Sequence, residues 1–410
     1  MSISSDILVA GAGAAGLTTG IALAREGFSV TIAGELDSRR NGRTVALFEA
    51  SLRLYRALGL WDDLAPLATP LERIRLADDT GSLFRPKPVV LDASEVNLPA
   101  FGMNIENASL VETLARIAAA TPGLRLVSGL LDHHQSSQDS VKADVIGGET
   151  CLAKLIVGAD GRNSRVRINA RVPWREWSYP QVALTALLWH EKSHDNTSTE
   201  FHTRSGPCTL VPMGPGESHP NRSSLVWLMS EREVRRRMAL PPEELAIEIE
   251  DSVHSIHGAI GLEGPKGAFP MSGLICNRLI GQRAALVADA GHYFPPIGAQ
   301  GLNLGLRDVA QLVDSLSTKG IEDPGSEAAL ADYDGARRAD VGLRTLGVHM
   351  LNSSLLMHHM PVDFMRSAGL AAMANIGPLR RALIKEGITP PGRLPRLMQA
   401  RRPVETGSAA

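Results

Sequence analysis

Cysteine is scarce in this 410-residue chain: Cys151, Cys208 and Cys276 stand far apart, and none belongs to a C-x-x-C pair. That excludes a disulfide framework and a cysteine-built zinc site, and it fits a reducing, cytosolic compartment. Charge of one sign is lacking too. With 42 Lys and Arg against 44 Asp and Glu the net charge is -2, so nothing in the balance draws the chain to nucleic acid. No apolar run reaches the length of a membrane-spanning helix. The apolar N-terminus carries Asp6, lacks a basic leader and breaks into glycines, so it reads neither as a signal peptide nor as a span. Internal repeats and low-complexity linkers are absent from the sequence. What remains is a globular composition, 44% hydrophobic and 21% charged, in a chain long enough for two or more lobes. One local imbalance stands out: from Ile376 to Arg402 there are seven Lys or Arg and a single acid, Glu386, a stretch able to touch an anionic surface.

Residues 6–35 read as strand, glycine turn, helix and strand, one βαβ unit. A helical pattern follows from Thr44 to Leu64, a hairpin is expected over 73–85 around Asp79, Thr80 and Gly81, and a helix over 109–120. Strands are expected near 124–130 and at LIVGAD, 155–160. Between Gln181 and Ser230 the texture changes to short alternating runs such as VALTALLWH and SSLVWLM, which points to an antiparallel sheet in a second lobe inserted into the first. A charged helix at about 231–252, a strand at 284–289 and mainly helix from Gly301 onward complete the reading.

The turn G-A-G-A-A-G sets Gly11, Gly13, Ala14, Ala15 and Gly16 between a strand and a helix. That spacing permits a sharp turn, close approach of a pyrophosphate to bare backbone, and tight packing of the helix. Dinucleotide binding follows, although the turn alone does not choose between NAD and FAD. The carboxylate that grips the adenosine ribose in this fold is expected at the end of the second strand, where Gly34 stands, with Glu35 one step later.

A second motif competes for attention. HEKSHDN, 190–196, contains H-E-x-x-H, the zinc-protease pattern. Zinc ligation by that spacing requires a helix, yet His190 closes the strand-like VALTALLW and His194 opens a turn. Along a strand, positions four apart lie roughly 13 Å from one another, too far for one ion. The pairs His133–His134 and His358–His359 read as solvated or interfacial rather than metal-binding.

Two later segments, LIVGADGRNSRVR (155–167) and ALVADAGHYFPPIGAQGLNLGLRDV (285–309), together with the glycine turn resemble the FAD-dependent aromatic-ring monooxygenase family. NGRTVALFEASLRLYRALGLW, IENASL, GPCTLVPM and GPLRRALIKEGI are similar to its ubiquinone-biosynthesis hydroxylase branch, over about residues 5–388, and HEKSHDN is similar to a stretch of the same branch. The resemblance implies an α/β fold: an FAD-binding Rossmann-like domain of the para-hydroxybenzoate hydroxylase type, an inserted antiparallel β-sheet substrate domain and a helical C-terminus. The expected boundaries are 1–72, 101–180 and 271–320 for the discontinuous FAD domain, 73–100 and 181–270 for the substrate domain, and 321–400 for the helical region.

The resemblance also assigns residues. Gly11, Gly13, Ala14, Ala15, Gly16 and Glu35 are expected on the ADP half of FAD, with Arg43, Asn107 and Asp160 as further contacts. Asp289 is expected on the ribityl chain, and Pro296, Gly298, Ala299, Gln300, Gly301, Leu302 and Asn303 around the flavin ring. The family's G-D pair is Ala288–Asp289 here, which keeps the carboxylate and gives up glycine's close approach. The implied activity consumes NAD(P)H and O2 and hydroxylates an aromatic ring through a C4a-hydroperoxyflavin, on a polyprenylated ubiquinone precursor. Peripheral contact with the inner membrane and with a quinone-biosynthesis assembly goes with that substrate. No side chain identifies itself as a substrate base; His292 and Tyr293, beside Asp289, read as packing or positioning. Alternatives are a hydroxylase of another phenol or polyketide and a non-catalytic flavin- or quinone-binding subunit. A flavin halogenase is disfavoured because WREW, 174–177, lacks the I-P that completes that family's motif.

Overall fold

A computed structural model describes residues 2–36, 40, 42–81, 87–147, 149–295, 300–356, 376–388 and 394–400. Its centre is a six-stranded sheet in the order Ile280–Gly281, Ala284–Leu286, Leu155–Gly158, Ile7–Ala10, Val30–Ala33, Leu124–Val127. All pairs are parallel except the first. Every residue of Ile7–Ala10, Val30–Ala33 and Leu155–Gly158 is buried, as continuous apolar runs in a doubly covered parallel sheet must be. The helices Ala14–Arg25, Asn107–Ala120 and Gln300–Lys319 pack into the core around it. A four-stranded sheet of Ser2–Ser4, Glu149–Ala153, Val141–Val145 and Leu131–Ser136 joins the same core.

The second large sheet has eight strands in the order His292–Tyr293, Ile260–Cys276, Trp174–His190, Arg222–Ser230, Gly206–Met213, Thr197–Thr203, Arg73–Asp79, Val89–Asp92. Its period-two pattern separates two faces. Leu184, Ala186 and Leu188 bury one face against Val234, Leu245 and Ile249 of the helices Glu231–Ala239 and Pro242–Ser252. Ala183, Leu228 and Met271 form a smaller cluster with Tyr179, Val226 and Phe269.

The structure departs from the sequence reading in three places. Thr44–Phe48 is a strand, paired with Gly102–Glu106, and the helix starts only at Glu49. The β-branched and aromatic residues of TVALF suit that pleated surface, and their spacing resembles a helix only because the helix follows directly. Arg73–Asp79 has the antiparallel partner a hairpin requires in Val89–Asp92, later than the sequence reading places it, while residues 82–86 of the expected hairpin lie outside the described residues; it also runs parallel to Thr197–Thr203, a pairing that reading does not include. The charged helix is two, because Pro241 and Pro242 restart it.

Candidate functional site

The glycine turn closes against its neighbours. Gly11 has φ +114°, and a Cβ there would overlap the carbonyl of Ala159; one at Gly16 would overlap the carbonyl of Gly11. Only glycine permits both approaches. Gly13 caps the helix Ala14–Arg25 and faces open space, and the first helical turn holds no acid. Ala14 is buried and Ala15 half-buried, with their carbonyls accepting from Thr18 and Thr19 Oγ1, both at 2.7 Å. The result is a helix N-terminus behind bare backbone, suited to an anion.

At Gly34 the chain has no room for a side chain. The Gly11 amide donates to the Ala33 carbonyl at 2.7 Å, and a Cβ on Gly34 would lie 2.5 Å from the Ala12 nitrogen. Glu35 is exposed, and its Oε1 accepts from Ser128 Oγ at 3.1 Å. Ser128 follows the adjacent strand Leu124–Val127, a position the sequence reading did not single out.

Asp160 follows Leu155–Gly158, the strand beside Ile7–Ala10, so it stands next to the glycine turn. Its Oδ2 accepts from the amides of Arg165 (2.7 Å) and Val166 (3.2 Å), capping the short helix Arg165–Asn169. Its Oδ1 is buried without a protein partner, and burial pushes the carboxyl pKa up.

Asp289 is half-buried in the turn after Ala284–Leu286. Burial raises its pKa, while His292, Arg43 and Arg162 pull it down. The Arg43 guanidinium lies 5.2 Å from the centre of the Phe269 ring, and that of Arg162 lies 5.8 Å from the Tyr293 ring. The Arg43 carbonyl accepts from the amide of Asn107 at 3.0 Å, joining two sequence-named residues. Arg162, missed in the sequence, is thus part of the charge around Asp289. The helix Gln300–Lys319 begins nearby. Gly301 faces open space, Leu302 leans on the core, and Gln300 Oε1 accepts from Arg344 Nη1 at 3.1 Å. Asn303 is buried: its Oδ1 accepts from Phe48 N (2.9 Å) and Ser51 Oγ (2.7 Å), and its Nδ2 donates to the Ala46 carbonyl (2.7 Å). Pro296, Gly298 and Ala299 lie outside the described residues, as do His358 and His359.

These features accommodate FAD: bare backbone at Gly13, an unpartnered buried oxygen on Asp160, and a carboxylate at Asp289 flanked by two arginines. The family model described as "FAD binding domain" matches residues 4–345. The chain belongs to the FAD-dependent aromatic monooxygenase family. Within it the chain falls in the ubiquinone-hydroxylase branch. It is 34% identical over 397 residues to the ubiquinone hydroxylase UbiL of Rhodospirillum rubrum, covering 94% of this chain and 89% of that protein. It is 30% identical over 394 residues to the 3-demethoxyubiquinol 3-hydroxylase of Escherichia coli, covering 93% and 97%. The fold matches that of p-nitrophenol 4-monooxygenase PnpA from Pseudomonas putida with a TM-score of 0.77 over 98% and 99% of the two chains, at 17% identity. This monooxygenase is therefore an FAD enzyme of the para-hydroxybenzoate hydroxylase-like fold, with NAD(P)H as reductant.

HEKSHDN is a strand end and a turn. His190 closes Trp174–His190, its Nδ1 donating to the Lys192 carbonyl (2.7 Å) and its Nε2 meeting Ser223 Oγ (3.0 Å). His194 Nε2 donates to the Met213 carbonyl (3.1 Å), and its Nδ1 accepts from Asn196 N (3.1 Å). Asp195 and Asn196 have φ of 47° and 53°, as a tight turn requires. Asn196 then holds Glu72, fixing the register of Arg73–Asp79 beside Thr197–Thr203. Among the described residues no group of three His, Cys, Asp or Glu could hold a metal ion.

Proposed function

We propose that this monooxygenase hydroxylates the ring of a polyprenylated ubiquinone precursor. The observation that carries the reading is the half-buried pair Val226 and Phe269, backed by the buried Ala183, Leu228 and Met271 on the same sheet face, which meets the charged cluster where the Arg43 guanidinium lies over the Phe269 ring. Such a wall suits a substrate that is mostly hydrocarbon, with the polar ring directed to the cofactor. The names of the two relatives, a ubiquinone hydroxylase and a 3-demethoxyubiquinol 3-hydroxylase, support the same class.

In this reading Gly11, Gly13, Ala14, Ala15 and Gly16 receive the pyrophosphate, Glu35 the adenosine ribose and Asp289 the ribityl hydroxyls. Arg43, Asn107 and Asp160 line the cofactor, and 296–303 border the ring. Bound FAD supplies reductive activation of O2; the protein orients the substrate, excludes water and balances charge at the ring. Peripheral contact with the inner membrane and with a quinone-biosynthesis assembly belongs to the proposal, supported by the basic stretch 376–402. Among the described residues no helix is long and apolar enough to cross a membrane.

The test is a quinone profile of a deletion strain, in which a polyprenyl-phenol lacking one ring hydroxyl is expected to accumulate. An unchanged quinone pool, in a strain without a second such enzyme, overturns the substrate class. Co-sedimentation with anionic vesicles tests the membrane contact.

A further inference from the structure

Asp289 is presented by a turn in an unfavourable conformation. Ala288, just before it, has φ +52°, a region that an L residue enters only when its surroundings hold it there. The holder is Asp308, fully buried on the helix Gln300–Lys319. Its Oδ2 accepts from the Ala288 amide (2.9 Å) and from His292 Nε2 (2.6 Å), so one oxygen grips the chain on both sides of Asp289. Its Oδ1 accepts from Arg337 Nε at 2.8 Å.

From Arg337 the contacts continue along the helix Glu327–Leu356. Arg337 Nη1 donates to Asp340 Oδ2 (2.7 Å), Arg344 Nε donates to Asp340 Oδ1 (3.1 Å), and Arg344 Nη1 donates to Gln300 Oε1 (3.1 Å). Arg307, also buried, meets Asp340 Oδ2 at 3.3 Å. The ladder therefore starts at the Asp289 turn and ends at Gln300, the first residue of the helix that borders the flavin. These are the two ends of the one cofactor loop. It also carries more positive than negative charge, with Arg307, Arg337 and Arg344 against Asp308 and Asp340.

We propose that Asp308, Arg337, Asp340 and Arg344 are positioning residues: they fix the distance between Asp289 and the helix N-terminus at Gln300, and so set FAD affinity and the potential of the bound flavin. The inference rests on the placement of FAD described above. A rigid frame on both sides of a ligand lowers the ordering required on binding. The excess cationic charge behind a helix N-terminus favours negative charge on the ring.

Arg344 is the rung to cut, because at 11% exposure it is the least buried of the three arginines, against 3% for Arg307 and 5% for Arg337, and among the described residues it bonds only Asp340 and Gln300. FAD titration of the apoprotein, the midpoint potential of the bound flavin and apoprotein melting are measured for wild type, Arg344→Met, Arg344→Lys and Asp340→Asn, with Asp289→Ala as the site control. In Arg344→Met the FAD Kd is expected to rise about tenfold and the potential to fall, with apoprotein melting unchanged. Arg344→Lys, which keeps the charge, recovers the potential. Asp340→Asn, which unlinks Arg337 from Arg344, reproduces the loss of affinity. Wild-type affinity and potential in both Arg344→Met and Asp340→Asn, while Asp289→Ala loses FAD, overturn the brace alone. Retention of FAD by Asp289→Ala at wild-type affinity overturns the cofactor placement itself.

Discussion

Gly34 is where the usual ribose carboxylate would stand, and replacing it tests whether its absence is a defect or a packing requirement. A Cβ there would lie 2.5 Å from the Ala12 nitrogen, 3.0 Å from the Ala12 Cβ and 3.0 Å from the Gly11 carbonyl carbon. None of these atoms can rotate away, so the turn itself must move. Overpacking of this kind costs about 1–3 kcal/mol. In the proposed placement of FAD the displaced backbone is the pyrophosphate cradle, so a cost falling on the bound state corresponds to about 5- to 150-fold weaker FAD binding. Gly34→Glu carries the same Cβ, so restoring the family's carboxylate is expected to weaken binding rather than improve it. The assay is quenching of FAD fluorescence on titration with apoprotein, with Glu35→Gln as the comparison that removes the exposed carboxylate and leaves the turn intact. Unchanged affinity in Gly34→Ala, or tighter binding by Gly34→Glu, would refute the reasoning.

Other predictions concern the rest of the molecule. Burial pushes the pKa of His134 and of His257 down to about 4 from 6.5, with help from His133 in the first case and from His190, His194 and Arg75 in the second. The unfolded chain then takes up protons that the folded one refuses, so this stability is complete above pH 6.5 and is lost as pH falls toward 4. At about 2–3 kcal/mol per histidine, urea unfolding at pH 5 should show a clear loss relative to pH 7. His257→Phe should flatten that dependence; an unaltered slope contradicts it. Asn303→Ala removes the bonds to Ala46, Phe48 and Ser51 and leaves their partners buried, a loss of about 2–4 kcal/mol, read as a lower urea midpoint. Chelation should leave melting and activity unchanged, because His190 and His194 engage carbonyl oxygens; a zinc-dependent rise in melting temperature would show otherwise.

The parts of this fold that were legible in the sequence are those set by local rules. GAGAAG between a strand and a helix, the D-G pair after a strand and the alternating runs of 181–230 each state their structure within a few residues. The strand Thr44–Phe48 was not legible, because its pairing with Gly102–Glu106 is a long-range choice that local spacing does not encode. The same holds at Gly34, where the missing carboxylate could be read but the closure of the turn onto that residue could not. Asp308 did leave a signal. Arg307 and Asp308 are charges set among the leucines of LNLGLRDV, and a charged pair on an apolar helical face has to be partnered inside the protein. Its partners lie on another helix, so the pattern announces a network without naming it.

The proposed division of the chain into a cofactor lobe and a substrate lobe leaves out how closely the two segments are stitched. His292–Tyr293, directly after Asp289, is the edge strand of the large antiparallel sheet, pairing with Ile275 and Leu274. Thr44 Oγ1 and Ser224 Oγ are 2.8 Å apart, Gly42 lies against the Ala186 backbone, and Asn104 Nδ2 donates to the Pro212 carbonyl at 2.9 Å. A hinge between lobes would have to break backbone pairing at the residue that follows the Asp289 turn. The pairing ties the large antiparallel sheet to the Asp289 turn, so a shift of one is expected to reach the other. A substitution on the apolar sheet face that shifts its strands, such as Met271→Trp, should consequently alter FAD fluorescence even without substrate. Identical flavin spectra in that variant and wild type would mean that the seam at 274–293 yields independently of the sheet.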